Sequence, residues 1–160
     1  MKLLAIDPGP VQSAWMIFDQ SNLPARFGKT VNTDLIFSLR DGFAPFFSLD
    51  HLAIETVECF GMAVGAEVFD TCIWIGRFVE CMESLRCDWT LIRRMDVKMH
   101  LCKSPRAKDA NIRAALIDRF GGKDAAIGKK KSPGPLYGIS ADVWSALAVG
   151  LTFLETRKTK

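Results

Sequence analysis

The stretch from Lys2 to Gly9 constrains this chain more than any other. Leu3-Leu4-Ala5-Ile6 is an unbroken apolar run closed by Asp7-Pro8-Gly9, the pattern of a buried strand that ends in a turn. A carboxylate on the last residue of such a strand is costly to desolvate unless something compensates its charge. Asp7 therefore requires a metal, a basic side chain or a ring of backbone donors. The fold has to deliver one of these to the end of the first strand.

Two further acids occupy matching contexts. Leu52-Ala53-Ile54 is an apolar run that ends on Glu55, and Asp142 opens the alanine-rich apolar stretch Val143 to Val149. Carboxylates at the ends of buried elements, far apart in sequence, converge only through folding, and once converged they repel one another. A divalent cation relieves that repulsion, and oxygen donors suit Mg²⁺ or Mn²⁺. The expectation is a carboxylate metal site built on Asp7, Glu55 and Asp142.

The chain of 160 residues is expected to form a single domain over residues 1–160, with enough apolar content (49%) to build a core without staples. A net charge of +3 permits a nucleic-acid partner without arguing for one. Five cysteines, at 59, 72, 81, 87 and 102, form no C-x-x-C pair, which speaks against zinc fingers and disulfide frameworks; most are expected in apolar surroundings. A core strand rather than a signal peptide is read at the start, and no apolar run reaches the ~18 residues of a membrane span. A reducing cytoplasm and no membrane partner are expected.

In order, Ser13–Asp19 is expected to pair with the first strand as a hairpin, with a third strand over Ala25–Asn32 and a short helix over Asp34–Arg40. His51–Val57 is a strand carrying Glu55. Apolar spacing from Gly61 to Leu85 predicts a long helix, with Gly61, Gly65 and Gly76 as candidate points of close approach. Trp89–Met95 is the last strand, followed by an irregular basic segment. Ser104-Pro105 is expected to start a helix ending at Gly121-Gly122, Lys123–Gly138 to be a loop, and the last helix to run from near Ser140 to Glu155. Strands first, then helices that cover a mixed sheet, make an α/β fold. His51 and His100 lack a second ligand at metal spacing and are read as structural or solvated.

The ordered motifs resemble those of the RuvC Holliday junction resolvases within the ribonuclease H-like superfamily, most of all their bacteriophage-encoded branch. Leu4-Ala5-Ile6-Asp7-Pro8-Gly9 is similar to the family's opening motif and Ala53-Ile54-Glu55 to its second acidic motif. Ala107-Lys108 falls where the family has a basic residue at the head of a helix, and Ala141-Asp142 with Ala146–Val149 is similar to its C-terminal motif. One departure stands out: the family's two acids on the last helix read here Asp142…Ser145. Either three carboxylates suffice, or Asp109 or Glu58 supplies the missing charge, or activity is reduced.

The resemblance implies an α/β, ribonuclease H-like mixed five-stranded sheet flanked by helices. It implies a metal-dependent endodeoxyribonuclease of four-way or other branched DNA, used in phage recombination or before packaging, in the host cytoplasm. Asp7 would bridge two Mg²⁺ or Mn²⁺ ions, with Glu55 on one and Asp142 on the other, and Lys108 would neutralise the scissile phosphate. Lys103, Arg106, Lys108 and Arg113, with Lys129, Lys130 and Lys131, are the expected DNA contacts; Arg93 and Arg94 stand between DNA contact and solvation. Phe60 and Met62 are candidate wedges that stack in the junction. Two symmetric cuts imply a homodimer, with Phe69, Ile73, Trp74 and Phe78 of the long helix as a candidate interface. The alternatives are a junction-binding protein without catalysis, and a nuclease of RNA–DNA hybrids or flaps.

Overall fold

The computed structural model describes residues 1–157 apart from 60 and 62, so the candidate wedges Phe60 and Met62 lie outside the described residues. A five-stranded mixed sheet organises them. Its strands are β1 (Leu3–Asp7), β2 (Gln12–Phe18), β3 (Pro24–Val31), β4 (His51–Thr56) and β5 (Asp88–Arg93), in the spatial order β3-β2-β1-β4-β5. The short links between β1, β2 and β3 make both pairings antiparallel. β4 lies parallel to β1 and β5 parallel to β4, so each connection must cross over the sheet. Helix α1 (Asn32–Arg40) makes the first crossing and α2 (Ala66–Ser84) the second.

Strand parity divides the interior into two layers. Leu4, Ile6, Ile17, Leu52 and Ile54 face α1 and α2, where they meet Leu35, Leu39, Phe78 and Met82. Leu3, Ala5, Ala14, Met16, Phe18 and Ala53 face the other side, covered by α3 (Arg94–Cys102), α4 (Asp109–Arg119) and above all α6 (Val143–Thr156). Between α4 and α6 lie a short helix, α5 (Lys123–Ala126), and a small hairpin of β6 (Gly128–Lys129) and β7 (Ser132–Pro133). Asp7 and Glu55 share the parity of Ala5 and Ala53, and so project toward the α6 layer.

Helix α6 can lie close to the sheet because both surfaces are small where they meet. A Cβ on Gly150 would stand 2.1 Å from Phe18 Cε2 and 3.0 Å from Ala5 Cβ. This is the close helix–sheet approach of the fold. At Gly61, Gly65 and Gly76 an added Cβ would meet nothing within 4 Å, which removes them from that role.

Several boundaries differ from expectation. The basic segment after β5 is helix α3, not irregular chain: Val97 and Leu101, four apart, bury one stripe, and Lys103 closes the helix in the left-handed conformation (φ 54°). Ser104-Pro105 sits in a turn, and α4 begins only at Asp109. Its start is braced by Asn111 Oδ1, which accepts the Lys108 N–H at 2.9 Å. The expected 123–138 loop holds α5 and the hairpin, with Lys130 and Lys131 at its turn. The last helix starts at Val143, not near Ser140. Phe78 is fully buried against the sheet and so is withdrawn from any interface, whereas Phe69 and Ile73 are exposed. Only Cys81 and Cys87 are buried, while Cys59, in the link after β4, and Cys72, on α2, are exposed. His51 stacks on Phe153 at 4.4 Å and bonds Thr90, a structural role. Among the described residues, no helix is long and apolar enough to cross a membrane.

Candidate active site

The register of the sheet assembles the site. Asp7 pairs with Ala14, and Ala14 with Lys29, so these three form a row across β1, β2 and β3. On the other flank Ile6 pairs with Ile54, which brings the next residues, Asp7 and Glu55, side by side at the ends of parallel strands. From above, α6 places Asp142 at its N-terminal end.

A buried polar brace holds the turn after Asp7. Ser13 Oγ donates to Asn32 Oδ1 at 2.6 Å and Asn32 Nδ2 donates to the Gly9 carbonyl at 2.8 Å; both side chains are fully buried. Gly9 is required by close approach, since a Cβ there would lie 2.5 Å from the Gln12 carbonyl oxygen.

Each outer acid is held by a cation. Arg94, the first residue of α3, donates from Nη1 to Glu55 Oε2 at 3.2 Å and from Nη2 to Asp109. Lys29 pairs with Asp142, whose carboxylate caps no backbone N–H of α6 and is free to do so. Among the described residues Asp7 has no such cation paired with it. Burial first, then the negative charge of Glu55, raise its carboxyl to about 7, with Asp142 adding to the effect and Arg94 and Lys29 opposing it. Burial likewise raises Glu55, against the pull of Arg94.

Asp7, Pro8, Glu55, Thr56, Glu58, Arg94 and Lys98 line an open cleft of about 360 Å³. Glu58 Oε2 is buried there without a hydrogen-bond partner among the described residues. The two acids that might replace a fourth carboxylate therefore differ: Glu58 faces the cleft, while Asp109 is exposed and engaged by Arg94. Ser145 is half-buried one turn along α6, its N–H bonded to the Asp142 carbonyl at 2.9 Å.

Among the described residues, no three His, Cys, Asp or Glu side chains are gathered tightly enough to hold an ion as they stand. Glu55 is engaged by Arg94 and Asp142 by Lys29 in this arrangement. The donor set nevertheless fits hard divalent cations: Asp7 and Glu55 stand side by side with Asp142 near enough to act on the Asp7 carboxyl, and Glu58 adds an oxygen without a hydrogen-bond partner among the described residues. Asp7, Glu55 and Asp142 are the residues that would hold such ions.

Of the expected DNA contacts, Lys108 is exposed and directly precedes Asp109, the residue that Arg94 engages. Lys103 and Arg106 lie on the exposed link between α3 and α4. Arg113 stacks over Trp144 at 4.9 Å, joining α4 to the start of α6. Lys129, Lys130 and Lys131 ride on the hairpin attached to α5. Among the described residues none of these seven cations is in an ion pair, unlike Lys29, Arg93 and Arg94. Sequence reasoning missed Lys29 and Lys98 as members of the site. Strand pairing was the signal for Lys29; for Lys98 it was the helical period one turn beyond Arg94, concealed by reading α3 as irregular.

Comparison with solved structures finds the same fold elsewhere. RuvC from Thermus thermophilus aligns over 96% of this chain and 93% of its own, with a TM-score of 0.67 and 14% identity. It has also been solved in complex with a Holliday junction substrate. The fowlpox virus Holliday junction resolvase aligns over 98% and 99% (TM-score 0.57, 16% identity), and the yeast mitochondrial Holliday junction resolvase over 95% and 78% (TM-score 0.55, 9% identity). No protein-family model matches the sequence, and no curated protein matches it. The chain has the ribonuclease H-like α/β fold that these resolvases share.

Proposed function

We propose that residues 1–160 form one divalent-metal-dependent endonuclease domain that hydrolyses phosphodiester bonds in four-way or other branched DNA, acting as a homodimer, in phage DNA recombination or before packaging. The observation that carries this reading is the placement of Asp7 and Glu55 on adjacent central strands, with Asp142 brought to them by α6. The fold shared with Holliday junction resolvases supports the substrate class.

Asp7, Glu55 and Asp142 would hold the Mg²⁺ or Mn²⁺ ions, of which two are proposed, and the chemistry such ions would supply is activation of a water and stabilisation of the leaving oxygen. Lys108 meets a phosphate at the cleft edge, while Lys103, Arg106 and Arg113 grip the flanking backbone and Lys129, Lys130 and Lys131 reach DNA farther from the cut.

The test is cleavage of a labelled four-way junction against matched duplex and RNA–DNA hybrid, with Mg²⁺ or Mn²⁺ and with Asp7→Asn as control. Metal-dependent, junction-selective cuts that vanish in the control are expected; cutting of the hybrid alone would defeat the reading. Ser145 favours one alternative, binding without catalysis. Tight junction binding with no cuts under either metal, and cuts restored by Ser145→Asp, would establish it.

Two variants probe the roles. Lys108→Ala removes an exposed, unpaired cation, so stability should be unchanged while cleavage falls roughly 10- to 100-fold, the value of a charge-assisted phosphate contact. Equal thermal melts and single-turnover rates in the two proteins would exclude the role. For the dimer, Phe69 and Ile73 on α2 are 61% and 60% exposed. The double change Phe69→Glu, Ile73→Glu should yield a monomer by light scattering with the fold intact by circular dichroism; a dimer that persists would place the interface elsewhere.

A further inference from the structure

We propose that Arg94 is the resident counter-cation of the acidic cleft, that a divalent ion arriving at Glu55 displaces its guanidinium, and that Asp109 then retains it at the cleft mouth to bind a DNA phosphate. This rests on the metal-nuclease reading above and adds a residue that the acidic motifs do not name.

Competition for one carboxylate is the first observation. Arg94 Nη1 takes Glu55 Oε2 at 3.2 Å, in a pair whose side chains are only 27% and 15% exposed. A dication on Glu55 and a guanidinium on the same acid repel strongly where water screens poorly. The two compete for the same carboxylate.

Arg94 cannot leave the neighbourhood. Its backbone follows directly on Arg93, which is paired in the sheet with Thr56, the residue after Glu55. Only the side chain can swing. Asp109 already holds the second nitrogen, and Asp109 is 85% exposed, at the first residue of α4. A guanidinium resting on Asp109 alone keeps most of its five N–H donors, arranged in a fork that matches phosphate oxygens. Lys98 also lines the cleft and is in no ion pair among the described residues, so the mouth presents positive charge to a phosphate.

The other basic groups do not fit the part. Lys29 on Asp142 is an exposed pair at 43% and 51%, which water and salt loosen readily. Arg93 is committed to Asp96 through two bonds at 2.8 and 2.7 Å.

Calorimetric titration of the full chain with Mn²⁺ alone, without DNA, tests the exchange. Arg94→Met removes the competitor and should bind Mn²⁺ about tenfold more tightly than the parent. Asp109→Asn removes the resting place, leaves Arg94 on Glu55, and should bind Mn²⁺ at least about threefold more weakly. With Ca²⁺ present, Arg94→Met should bind a four-way junction about tenfold more weakly than the parent, by fluorescence anisotropy. Unchanged or weaker Mn²⁺ binding in Arg94→Met would overturn the proposal, as would unchanged or tighter binding in Asp109→Asn or undiminished junction affinity. Should Arg94→Met not fold, the exposed Asp109→Asn decides the question. If the parent gives no Mn²⁺ heat and Asp7→Asn behaves identically, the metal-nuclease reading falls and takes this proposal with it.

Discussion

Asp7→Asn is expected to abolish junction cleavage and, in the same protein, to stabilise the metal-free fold. The loss of cleavage should exceed about a thousandfold, because the most central acid of the site is gone and its neighbours cannot reach across the sheet. The gain in stability follows from the pH linkage. Folded Asp7 holds its proton up to about pH 7, whereas in the unfolded chain it is lost near pH 4. Between those values the folded state binds more protons, so stability falls as pH rises through the window, and the penalty is complete above it. A shift of that size corresponds to at most about 4 kcal/mol. Glu55, also raised by burial, acts in the same direction. Asparagine has no proton to lose.

Thermal melts in EDTA from pH 4.5 to 7.5 check this. The parent should lose stability across the range, and Asp7→Asn should lose much less, melting several degrees higher at the upper end. Added Mg²⁺ should narrow the gap, since ions that bind only the folded parent stabilise it. Parallel curves for the two proteins would mean that some other group compensates Asp7 in the folded state.

Gly150→Ala should destabilise the protein by about 2 kcal/mol, although alanine is the better helix former by about 1 kcal/mol. The new methyl would lie 2.1 and 2.6 Å from two atoms of the Phe18 ring and 3.0 Å from Ala5 Cβ. Both neighbours are fully buried and have little room to move. Strain from overpacking costs about 3 kcal/mol at such a contact and outweighs the propensity gain. Valine should cost more. Phe18→Leu in the Gly150→Ala background should recover at least half of the loss, because it withdraws the ring from the methyl. Urea unfolding of the four proteins in this cycle measures the coupling, and additive effects would show that α6 does not depend on the close contact.

The second prediction bears on the first. Asp142 precedes Gly150 by eight residues, about 12 Å of helix. Lifting α6 from the sheet at Gly150 would therefore draw Asp142 from Asp7 at the other end. Cleavage in Gly150→Ala should decline along with stability even though no acid has changed.

Much of this architecture was legible in the residues. An apolar run ending in Asp-Pro-Gly implies a buried strand with a charged end, and short polar links between apolar runs imply antiparallel neighbours. For these features the cause is local: strand parity, turn residues and the cost of a lone buried charge act within a few positions. The motif resemblance added the five-stranded sheet and the fold that solved resolvases share. What escaped was decided between distant segments. Helix α3 was obscured because its buried stripe, Val97 and Leu101, is narrow and set among charges, so its hydrophobic period is weak until the sheet supplies a surface to cover. The start of α4 lies beyond Ser104-Pro105 because the chain must first turn back from α3.

The site divides along the same line. By itself the sequence determined which acids stand at the ends of buried elements, since that depends on apolar runs and their terminators. Only the tertiary structure decided which cation each acid meets: Lys29 reaches Asp142 across 113 positions and Arg94 reaches Glu55 across 39. Register and helix placement select those partners, and Coulomb attraction at short range holds them. No local pattern encodes them, because charges distant along the chain have no influence on one another until the sheet brings them within a few ångströms.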